Sequence, residues 1–224
     1  LMRDEMPAVF DAKSLFGRAA PLEIEVGSGK GLFLQSASAA HGDRDFLGIE
    51  IVGKYARFIA NRLVRDERTN AKILHGDGIA FLQTVPDASV SALHVYFPDP
   101  WCKKRHRRRR VMNESFFRSA DRILMPGGKL HFWTDVKEYF DSTLELMKTA
   151  SQLVGPAPVI AEPALHDMDY RTHFERRVRK NDLPVYRAEF HRQPWRTEVI
   201  VGADQQLLTD TSMDSLADSS DATD

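Results

Sequence analysis

Near its start the chain reads Leu22-Glu23-Ile24-Glu25-Val26-Gly27-Ser28-Gly29-Lys30-Gly31. The first five residues predict a β-strand, and residues 32–40 predict a helix with apolar and small residues on one face. The glycines between them predict a tight turn, because glycine accepts backbone conformations that other residues avoid. Such a turn lets a ligand approach the backbone closely where the strand meets the helix.

The same alternation of strand and helix continues along most of the chain. The predicted strands are residues 22–26, 45–50, 71–75, 91–97 and 129–133, and the predicted helices are residues 32–40, 52–67, 78–82, 114–124 and 136–150. This spacing is typical of βαβ units, so we expect an α/β fold with a parallel sheet covered by helices on both faces. After residue 151 the pattern loosens, and we expect late strands at 185–190 and 198–201, antiparallel at the edge of the sheet.

The glycine turn does not match the two common phosphate-binding loops. A dinucleotide-binding turn has the pattern G-x-G-x-x-G, whereas the third glycine here comes one position early. A Walker loop needs Ser or Thr after its lysine, but Lys30 is followed by Gly31. The carboxylate of Glu25 would also repel a pyrophosphate, and it suits a cationic ligand better. S-adenosylmethionine fits, because it carries an ammonium and a sulfonium group and no phosphate.

Acidic residues also end three further predicted strands. They are Glu50, Asp77 and Asp99. Ligands of open α/β sheets bind at the carboxyl ends of the strands, where Glu50 would reach a ribose diol and Asp77 an adenine edge. The alternative is an ordinary glycine turn with unrelated surface acids. Acids at four successive strand ends favour a ligand site.

The fourth strand is followed by Pro98-Asp99-Pro100-Trp101 and then, after Cys102, by a run of basic residues. The prolines hold the Asp99 carboxylate rigidly, although Pro-Asp-Pro is also a common turn. Each residue from 103 to 110, which we call the basic segment, can carry positive charge. Beside a ligand site it favours contact with nucleic-acid phosphates over a solvated charge run or a targeting signal. Trp101 either covers the core or stacks on a base.

The charge of the chain is divided unevenly. The formal net charge of the 224 residues is −1, but residues 203–224 contain six Asp and no Lys or Arg. The rest of the chain therefore has 31 basic and 26 acidic residues, a net charge of +5. A basic body with an acidic tail fits a nucleic-acid partner. We expect one domain over residues 1–202 and a disordered tail over residues 203–224.

The cysteine and histidine content and the absence of long apolar runs limit the classes of protein to which the sequence can belong. Cys102 is the only cysteine, so we expect no internal disulfide and a reducing, cytoplasmic environment. No apolar run approaches the ~18 residues of a membrane span, and the charged first twenty residues do not have the pattern of a signal peptide. The eight histidines show no metal-binding spacing, so we expect no metal. We expect His94 and His131, inside apolar strands, to be core residues.

Several of these segments together resemble the bacterial tRNA (guanine-N(7)-)-methyltransferase family, a class I, S-adenosylmethionine-dependent family. The matching segments are residues 25–31, 48–50 and 97–106, with Thr134-Asp135 and Arg171-Thr172-His173-Phe174-Glu175. They occur in the family's order, from about residue 15 to residue 201. The Pro-Asp-Pro-Trp segment with its Lys and Arg-His is highly specific, whereas the glycine turn alone is not. The sequence departs from the family's pattern in lacking a glycine at 180–183 and in its acidic tail.

The resemblance implies a fold, a reaction and a set of functional residues. The fold would be a Rossmann-like sheet of seven strands with the last strand antiparallel. The reaction would transfer a methyl group from S-adenosylmethionine to N(7) of a guanosine in tRNA, at position 46 of the variable loop. Asp99 would be the catalytic acid, and no obligate protein partner is expected. The cofactor would contact Glu25, Gly27, Gly29, Glu50, Asp77 and Asp99. The substrate would contact Lys103, Arg105, Asp135, Thr172, His173, Phe174 and Glu175, and the RNA would contact Arg107, Arg108, Arg109 and Arg110.

The residues leave several alternatives open. Asp135 precedes a predicted helix and is also a candidate N-cap, and Thr172 with Glu175 matches a capping box. A methyltransferase acting on an exocyclic amine would carry an Asn/Asp-Pro-Pro-aromatic segment after the fourth strand, which differs from the order here. A tRNA-binding subunit without turnover would need a broken cofactor site, but the glycines and acids of that site are present. The glycine spacing disfavours an NAD-dependent dehydrogenase.

Overall fold

The computed structural model describes residues 10–160, 163–164, 166 and 170–194, the side chain of Lys104 excepted. The predicted strand 198–201, the predicted domain end at residue 202 and the predicted tail lie outside the described residues. The strands are β1 Leu22–Val26, β2 Asp45–Glu50, β3 Ala71–His75, β4 Val90–Tyr96, β5 Leu124–Thr134, β6 Val154–Ala157 and β7 Tyr186–His191. The helices are α1 Ala12–Phe16, α2 Leu32–Ala40, α3 Gly53–Arg65, α4 Gly78–Leu82, α5 Glu114–Ile123, α6 Lys137–Ala150 and α7 His173–Lys180, with a 3₁₀ helix at Lys104–Arg109.

The seven strands form one sheet in the order β3-β2-β1-β4-β5-β7-β6. The first five strands run parallel, and β7 runs antiparallel to β5 and β6. The chain moves outward from β1 to β3, and β4 then returns to the other side of β1. This reversal opens a crevice at the carboxyl ends of the strands, where Rossmann-like sheets bind ligands. The predicted seven-stranded, mostly parallel Rossmann-like sheet is confirmed.

Hydrophobic cores cover both faces of the sheet. In β1, Leu22, Ile24 and Val26 face a core that includes side chains of α4, α5 and α6. The opposite core lies against α2 and α3 and includes Phe33 and Ile59. The predicted helices on both faces are therefore present, and β1 is buried along its whole length because neither face meets water.

The edge of the sheet differs from the prediction. The late strand β7 pairs with β5 on one side and β6 on the other, so it is interior and β6 forms the edge. The sequence of β6, Val-Gly-Pro-Ala, contains a glycine and a proline, which are tolerated in strands mainly at edges. β5 also begins earlier than predicted, at Leu124. A register shift between Val90 and Ala92 on β4 accommodates the Pro126-Gly127-Gly128 stretch.

Polar side chains cross the α2 side of the sheet in a row. The rings of His94 and His131 stack with their centres 4.9 Å apart. His94 is buried, with Nε2 2.8 Å from Glu23 Oε2 and Nδ1 2.9 Å from the Tyr96 hydroxyl. His131 is half-buried, with Nδ1 3.4 Å from Glu189 Oε2. The predicted core position is confirmed for His94, whereas His131 is only partly covered.

Candidate active site

A cavity of about 590 Å³ opens at the carboxyl ends of β1 to β4. Its wall consists of the strand ends and the loops after them, which lie together because parallel strands end at the same edge of a sheet. The lining includes Gly27, Glu50, Asp77 and Asp99. Four of the residues that the sequence predicts as cofactor contacts therefore line one cavity.

The glycine turn forms the wall at the end of β1. Gly27 and Gly29 have φ angles of 84° and 55°, a left-handed conformation that is costly for other residues. The Gly29 amide donates to Glu50 Oε2 at 2.7 Å, and the Val52 amide donates to Glu50 Oε1 at 2.8 Å. These bonds fix the Glu50 carboxylate at the wall. Each of its oxygens retains a lone pair that can accept from a ligand hydroxyl.

Glu25 lies behind this turn rather than on the cavity lining. It is 2% exposed, and its Oε2 and the Ser28 hydroxyl make no hydrogen bond to any residue that the structure describes. Burial raises the pKa of the Glu25 carboxyl to about 8, and the negative charge of Glu50 adds to this shift. Burying a carboxylate without a partner costs free energy unless a cation or a hydrogen-bond donor reaches it. Its environment therefore suits an ammonium group.

Asp77 begins α4 and also lines the cavity. Its Oδ1 accepts from the amides of Ile79 at 2.9 Å and Ala80 at 3.2 Å, which caps the helix. Both bonds use the same oxygen, so Oδ2 can still accept from an exocyclic amine of a ligand. The capping role and the predicted ligand role are therefore compatible in this residue.

Unusual backbone conformations lie on both sides of Asp99. Phe97 and Trp101 have φ angles of 50° and 42°, which are uncommon for bulky residues. Such conformations cost of order 1–3 kcal/mol each and persist only where the surroundings impose them. Here the Phe97 amide donates to Trp133 O at 2.7 Å, and the flanking prolines fix the backbone between the two aromatic residues. The exposed Asp99 carboxylate is thereby held at the cavity wall.

Arg110 supports the Pro-Asp-Pro segment from inside the protein. Its Nε donates to Pro100 O at 2.7 Å, and its terminal nitrogens donate to Ser142 Oγ at 3.0 Å and Glu138 Oε2 at 2.8 Å. The guanidinium also lies 4.5 Å from the centre of the Tyr139 ring, and the residue is 7% exposed. Of the four arginines that the sequence predicts as RNA contacts, Arg110 is therefore the one that is buried and positions the loop.

Most of the described side chains of the basic segment face outward. Its exposed members are Lys103, Arg105, Arg107, Arg108 and Arg109. Arg108 and Arg109 also line the cavity, and the Arg109 guanidinium lies 5.1 Å from the centre of the Trp101 ring. Trp101 is half-buried on the cavity wall and belongs to neither hydrophobic core, so it does not cover the core. Positive charge extends from the mouth of the cavity onto the surface.

Asp135 follows the end of β5 and is half-buried. The N-cap of α6 is Val136, whose amide donates to Thr134 Oγ1 at 3.2 Å. Asp135 itself makes no hydrogen bond or ion pair within the part of the chain that the structure describes. The alternative role of Asp135 as a helix cap is therefore absent here, and its carboxylate can bind a ligand.

Glu175 and Thr172 are engaged with the protein itself. Thr172 Oγ1 accepts from the Glu175 amide at 2.9 Å, and Glu175 Oε2 accepts from the Arg171 amide at 2.7 Å. Glu175 Oε1 lies 3.3 Å from Arg179 Nη1 and 3.1 Å from Arg187 Nη2, and the residue is 1% exposed. The capping alternative is thus present at the start of α7. The predicted contact between Glu175 and guanine stays a prediction.

The next residues of α7 face the end of β4. The ring of Phe174 lies 5.2 Å from the ring of Phe97, centre to centre, and His173 is half-buried. Phe97 also lines the cavity. Through this aromatic contact, the segment that the sequence predicts as substrate-binding lies beside the Pro-Asp-Pro segment.

Among the lining residues that the sequence did not predict, three form one continuous part of the wall. They are Ile51, Val52 and Tyr55, which lead from β2 into the first turn of α3. Their apolar and aromatic side chains look like ordinary turn and helix residues. Their position directly after Glu50 could have indicated that they line the cavity, because residues that follow an acid at a strand end lie at the ligand-binding edge of the sheet.

None of the helices in the described ranges is both long and apolar enough to cross a membrane. Across those same residues, no group of three or more His, Cys, Asp or Glu side chains is arranged to hold a metal ion.

Comparison with known proteins gives consistent matches. Residues 19–188 match the family model described as "Putative methyltransferase". The tRNA (guanine-N(7)-)-methyltransferase of Rhodopirellula baltica is 46% identical over 197 residues, which cover 85% of this chain and 73% of that protein. The enzyme of the same name from Alcanivorax borkumensis is 34% identical over 184 residues, covering 80% of this chain and 75% of that protein.

Solved structures resemble the fold at lower sequence identity. The antibiotic-resistance methyltransferase Kmr superposes with a TM-score of 0.55 at 16% identity, covering 82% of this chain and 92% of that one. The 30S ribosomal A1408 methyltransferase from an uncultured bacterium gives a TM-score of 0.50 at 14% identity, covering 80% and 91%. At such identities these similarities concern the fold alone.

Proposed function

Because the chain belongs to the tRNA (guanine-N(7)-)-methyltransferase family, we propose that it transfers a methyl group from S-adenosylmethionine to N(7) of a guanosine in tRNA. The observation that carries the proposal is the cavity that brings Glu50, Asp77 and Asp99 to one wall. This cavity has room for a nucleoside, and the exposed arginines at its mouth suit a polyanionic substrate.

The residues around the cavity fit S-adenosylmethionine in four places. Glu50 offers acceptors for a ribose diol, Asp77 offers one for the adenine amine, and the partnerless Oε2 of Glu25 suits the ammonium. Around Gly27 and Gly29, no atom lies within 4 Å of the position that a Cβ would take, so a ligand can approach the backbone there. When bound, the cofactor supplies a methyl group attached to a positively charged sulfur.

Methyl transfer to guanine N(7) requires little acid–base catalysis from the protein. N(7) has a lone pair and carries no proton, so no general base is required. The protein must hold N(7) in line with the methyl group, which is a matter of proximity and orientation. The purine becomes cationic during transfer, and the fixed Asp99 carboxylate stabilises that developing charge. The rigid backbone around Asp99 is useful here, because a preorganised charge need not reorient during the reaction.

The selection of guanine is assigned to Asp135. Its carboxylate can accept from the N1–H and the exocyclic amine of guanine, whereas adenine offers no N1–H. Glu175 has its oxygens engaged with arginines and a backbone amide, so we give it the role of fixing the start of α7. Thr172, His173 and Phe174 then stand where α7 meets the Pro-Asp-Pro segment, and Lys103 and Arg105 contact the substrate from the other side.

The exposed arginines of the basic segment bind the tRNA backbone. Arg107, Arg108 and Arg109 are exposed, and they contact phosphates without distinguishing between bases. Binding by such contacts weakens with salt, because each phosphate neutralised releases counterions. Trp101 is placed on the cavity wall beside Arg109, where it can stack on a base next to the target.

Methyl transfer from labelled S-adenosylmethionine to unmodified tRNA tests the proposed function. The product is digested to nucleosides, and label is expected in 7-methylguanosine. Label in a nucleoside methylated on an exocyclic amine would replace the proposed reaction with the alternative one. Cofactor binding without any transfer would instead favour a tRNA-binding role without turnover.

A further inference from the structure

The outer side of α3 carries positive charge and one large aromatic ring. Its exposed residues are Lys54, Arg57, Phe58, Asn61, Val64 and Arg65, which we call the α3 face. Their spacing of three, four and seven residues puts them on one side of the helix, opposite the side that is buried in the core. The sequence has no Asp or Glu between Glu50 and Asp66, so no acid on the helix itself neutralises this face.

Exposed cations on two other helices are neutralised locally. Those of α5 and α6 pair with acids one turn away, in Arg118–Glu114 at 3.3 Å, Lys137–Asp141 at 2.6 Å and Lys148–Glu145 at 2.6 Å. Lys54 and Arg57, by contrast, form no ion pair with any residue in the described part of the chain. Arg65 pairs at 2.9 Å with Asp66, which lies past the end of α3. Like charges on one side of a helix repel, so this arrangement indicates an external partner of negative charge.

The aromatic ring on this face indicates what kind of anion fits. Phe58 is 46% exposed, and the Arg62 guanidinium lies 5.6 Å from the centre of its ring. An exposed aromatic ring among cations is the arrangement that binds single-stranded nucleic acid, because a base stacks on the ring while phosphates contact the cations. A protein with an acidic surface would use the charges but would leave Phe58 without a matching contact.

The location of α3 connects this face to the cavity. Ile51, Val52 and Tyr55 line the cavity where β2 passes into α3, and Arg108 and Arg109 line it from the loop after β4. In the sheet, β2 and β4 flank β1 on opposite sides. The first turn of α3, where the α3 face begins, and the basic segment therefore border the cavity on opposite sides of β1.

We propose that the α3 face is a second tRNA-binding surface, which binds the RNA on the side of the cavity opposite the basic segment. The proposal rests on the proposed function, which identifies the nucleic acid as tRNA. Lys54, Arg57 and Arg65 contact phosphates, and Phe58 stacks on an unpaired base next to the target guanosine. Contact on both sides fixes the RNA across the cavity and so helps to orient the guanosine toward the cofactor.

The test measures tRNA affinity as a function of salt for a variant carrying Lys54→Gln and Arg57→Gln. Loss of two phosphate contacts is expected to weaken binding about tenfold near physiological salt and to reduce the slope of log affinity against log salt by about 1.5. A Phe58→Ala variant is expected to weaken binding about fivefold or more with the slope unchanged, because stacking releases no counterions. Affinity for S-adenosylmethionine should not change in either variant.

A matched control removes two cations from other helices, with Arg118→Gln on α5 and Lys148→Gln on α6. It should bind tRNA like the unaltered protein, and all variants should have the same melting temperature because the altered residues are exposed. If the double variant on α3 retains the wild-type affinity and salt slope, the proposal is overturned. The proposal is also overturned if that variant changes the sedimentation of the protein alone, because the α3 face would then be a protein interface. Failure of the unaltered protein to form 7-methylguanosine would refute the proposed function separately.

Discussion

At the scale of single residues, Asp99 combines a fixed backbone with a charged side chain at the cavity wall. Replacing it by Asn keeps the size of the side chain but removes the charge that stabilises the cationic purine. We expect Asp99→Asn to lower kcat by about 10²–10³-fold, a typical loss for one preorganised electrostatic contact. The dissociation constant of S-adenosylmethionine should change by less than about threefold, since other acids hold its ribose and adenine. Single-turnover methylation and calorimetric binding measure the two effects, and nearly full turnover would remove Asp99 from its proposed role.

Glu25 makes cofactor binding depend on pH. Burial raises the pKa of the free protein's carboxyl to about 8, so Glu25 is largely protonated at neutral pH. A ligand ammonium favours the carboxylate, so binding releases a proton and affinity should rise as pH increases from 6 toward 8. Glu25→Gln should flatten this dependence and weaken binding at pH 8 about tenfold or more, since a hydrogen bond to a charged group is worth about 1.5–3 kcal/mol. Calorimetry in buffers of different ionisation enthalpy measures both affinity and proton release; equal pH dependence in the two proteins would contradict this role.

At the scale of elements, the loop after β4 and the 3₁₀ helix contain neighbouring arginines with opposite roles. Arg110 is buried and bonded to Pro100, whereas Arg108 is exposed at the mouth of the cavity. We expect Arg110→Met to cost about 2 kcal/mol of unfolding free energy, because it removes three hydrogen bonds made by a buried guanidinium. It should also lower kcat, since the Pro-Asp-Pro segment loses its support, while leaving the salt dependence of tRNA binding unchanged.

The matched variant Arg108→Met should behave in the reverse manner. Its stability should stay within about 0.5 kcal/mol of the unaltered protein, as is usual at exposed positions. Its salt slope for tRNA binding should fall by about 1, as expected for one lost phosphate contact. Urea denaturation and filter binding over a range of salt distinguish the two variants, and similar behaviour of both would refute the division of roles.

At the scale of the whole molecule, the polar row on the α2 side of the sheet sets the acid stability. Burial, the first cause, together with neighbouring positive charge, lowers the pKa of His131 to about 3, and burial lowers the pKa of His94. Burial alone would raise the pKa of Glu23, but hydrogen bonds and charges from His94 and Arg44 outweigh it and lower the pKa to about 2. Each of these groups binds protons more readily in the unfolded chain than in the folded one.

The unfolding free energy should therefore fall as the pH falls. The His131 contribution is complete above pH 6.5 and is lost from there toward pH 3, at no more than about 1.4 kcal/mol per pH unit, and the His94 contribution is likewise lost as the pH falls below 6.5. The Glu23 contribution is lost between about pH 4.5 and 2. In a His131→Gln variant the unfolding free energy should decrease less steeply between pH 6.5 and 4.5. Urea denaturation at a series of pH values measures this, and identical curves for the two proteins would show that His131 does not titrate as proposed.

Local patterns in the sequence were sufficient for most of the sheet and for the chemical character of its ligand edge. The bounds of β1, β2 and β3 agree with the prediction to the residue, because each is a short apolar run ended by glycine or an acid. The glycine turn and the Pro-Asp-Pro segment were also readable, since glycine and proline restrict the backbone through their own covalent structure. The strand β6 could not be predicted from its sequence, because its Gly-Pro sequence disfavours a strand unless β7 is already beside it.

Only the tertiary structure decided which polar side chains face the cavity, the solvent or the interior. Arg110 and Arg108 are indistinguishable by residue type, but Arg110 meets Glu138 and Ser142, which come 28 and 32 residues later. Glu25 ends its strand as predicted, yet it lies behind the turn and not on the lining. The charge that Lys54 and Arg57 place on the α3 face became evident only once the ion pairs on α5 and α6 were known. Burial and ion pairing depend on residues distant in sequence that folding brings together, so no local pattern could have determined them.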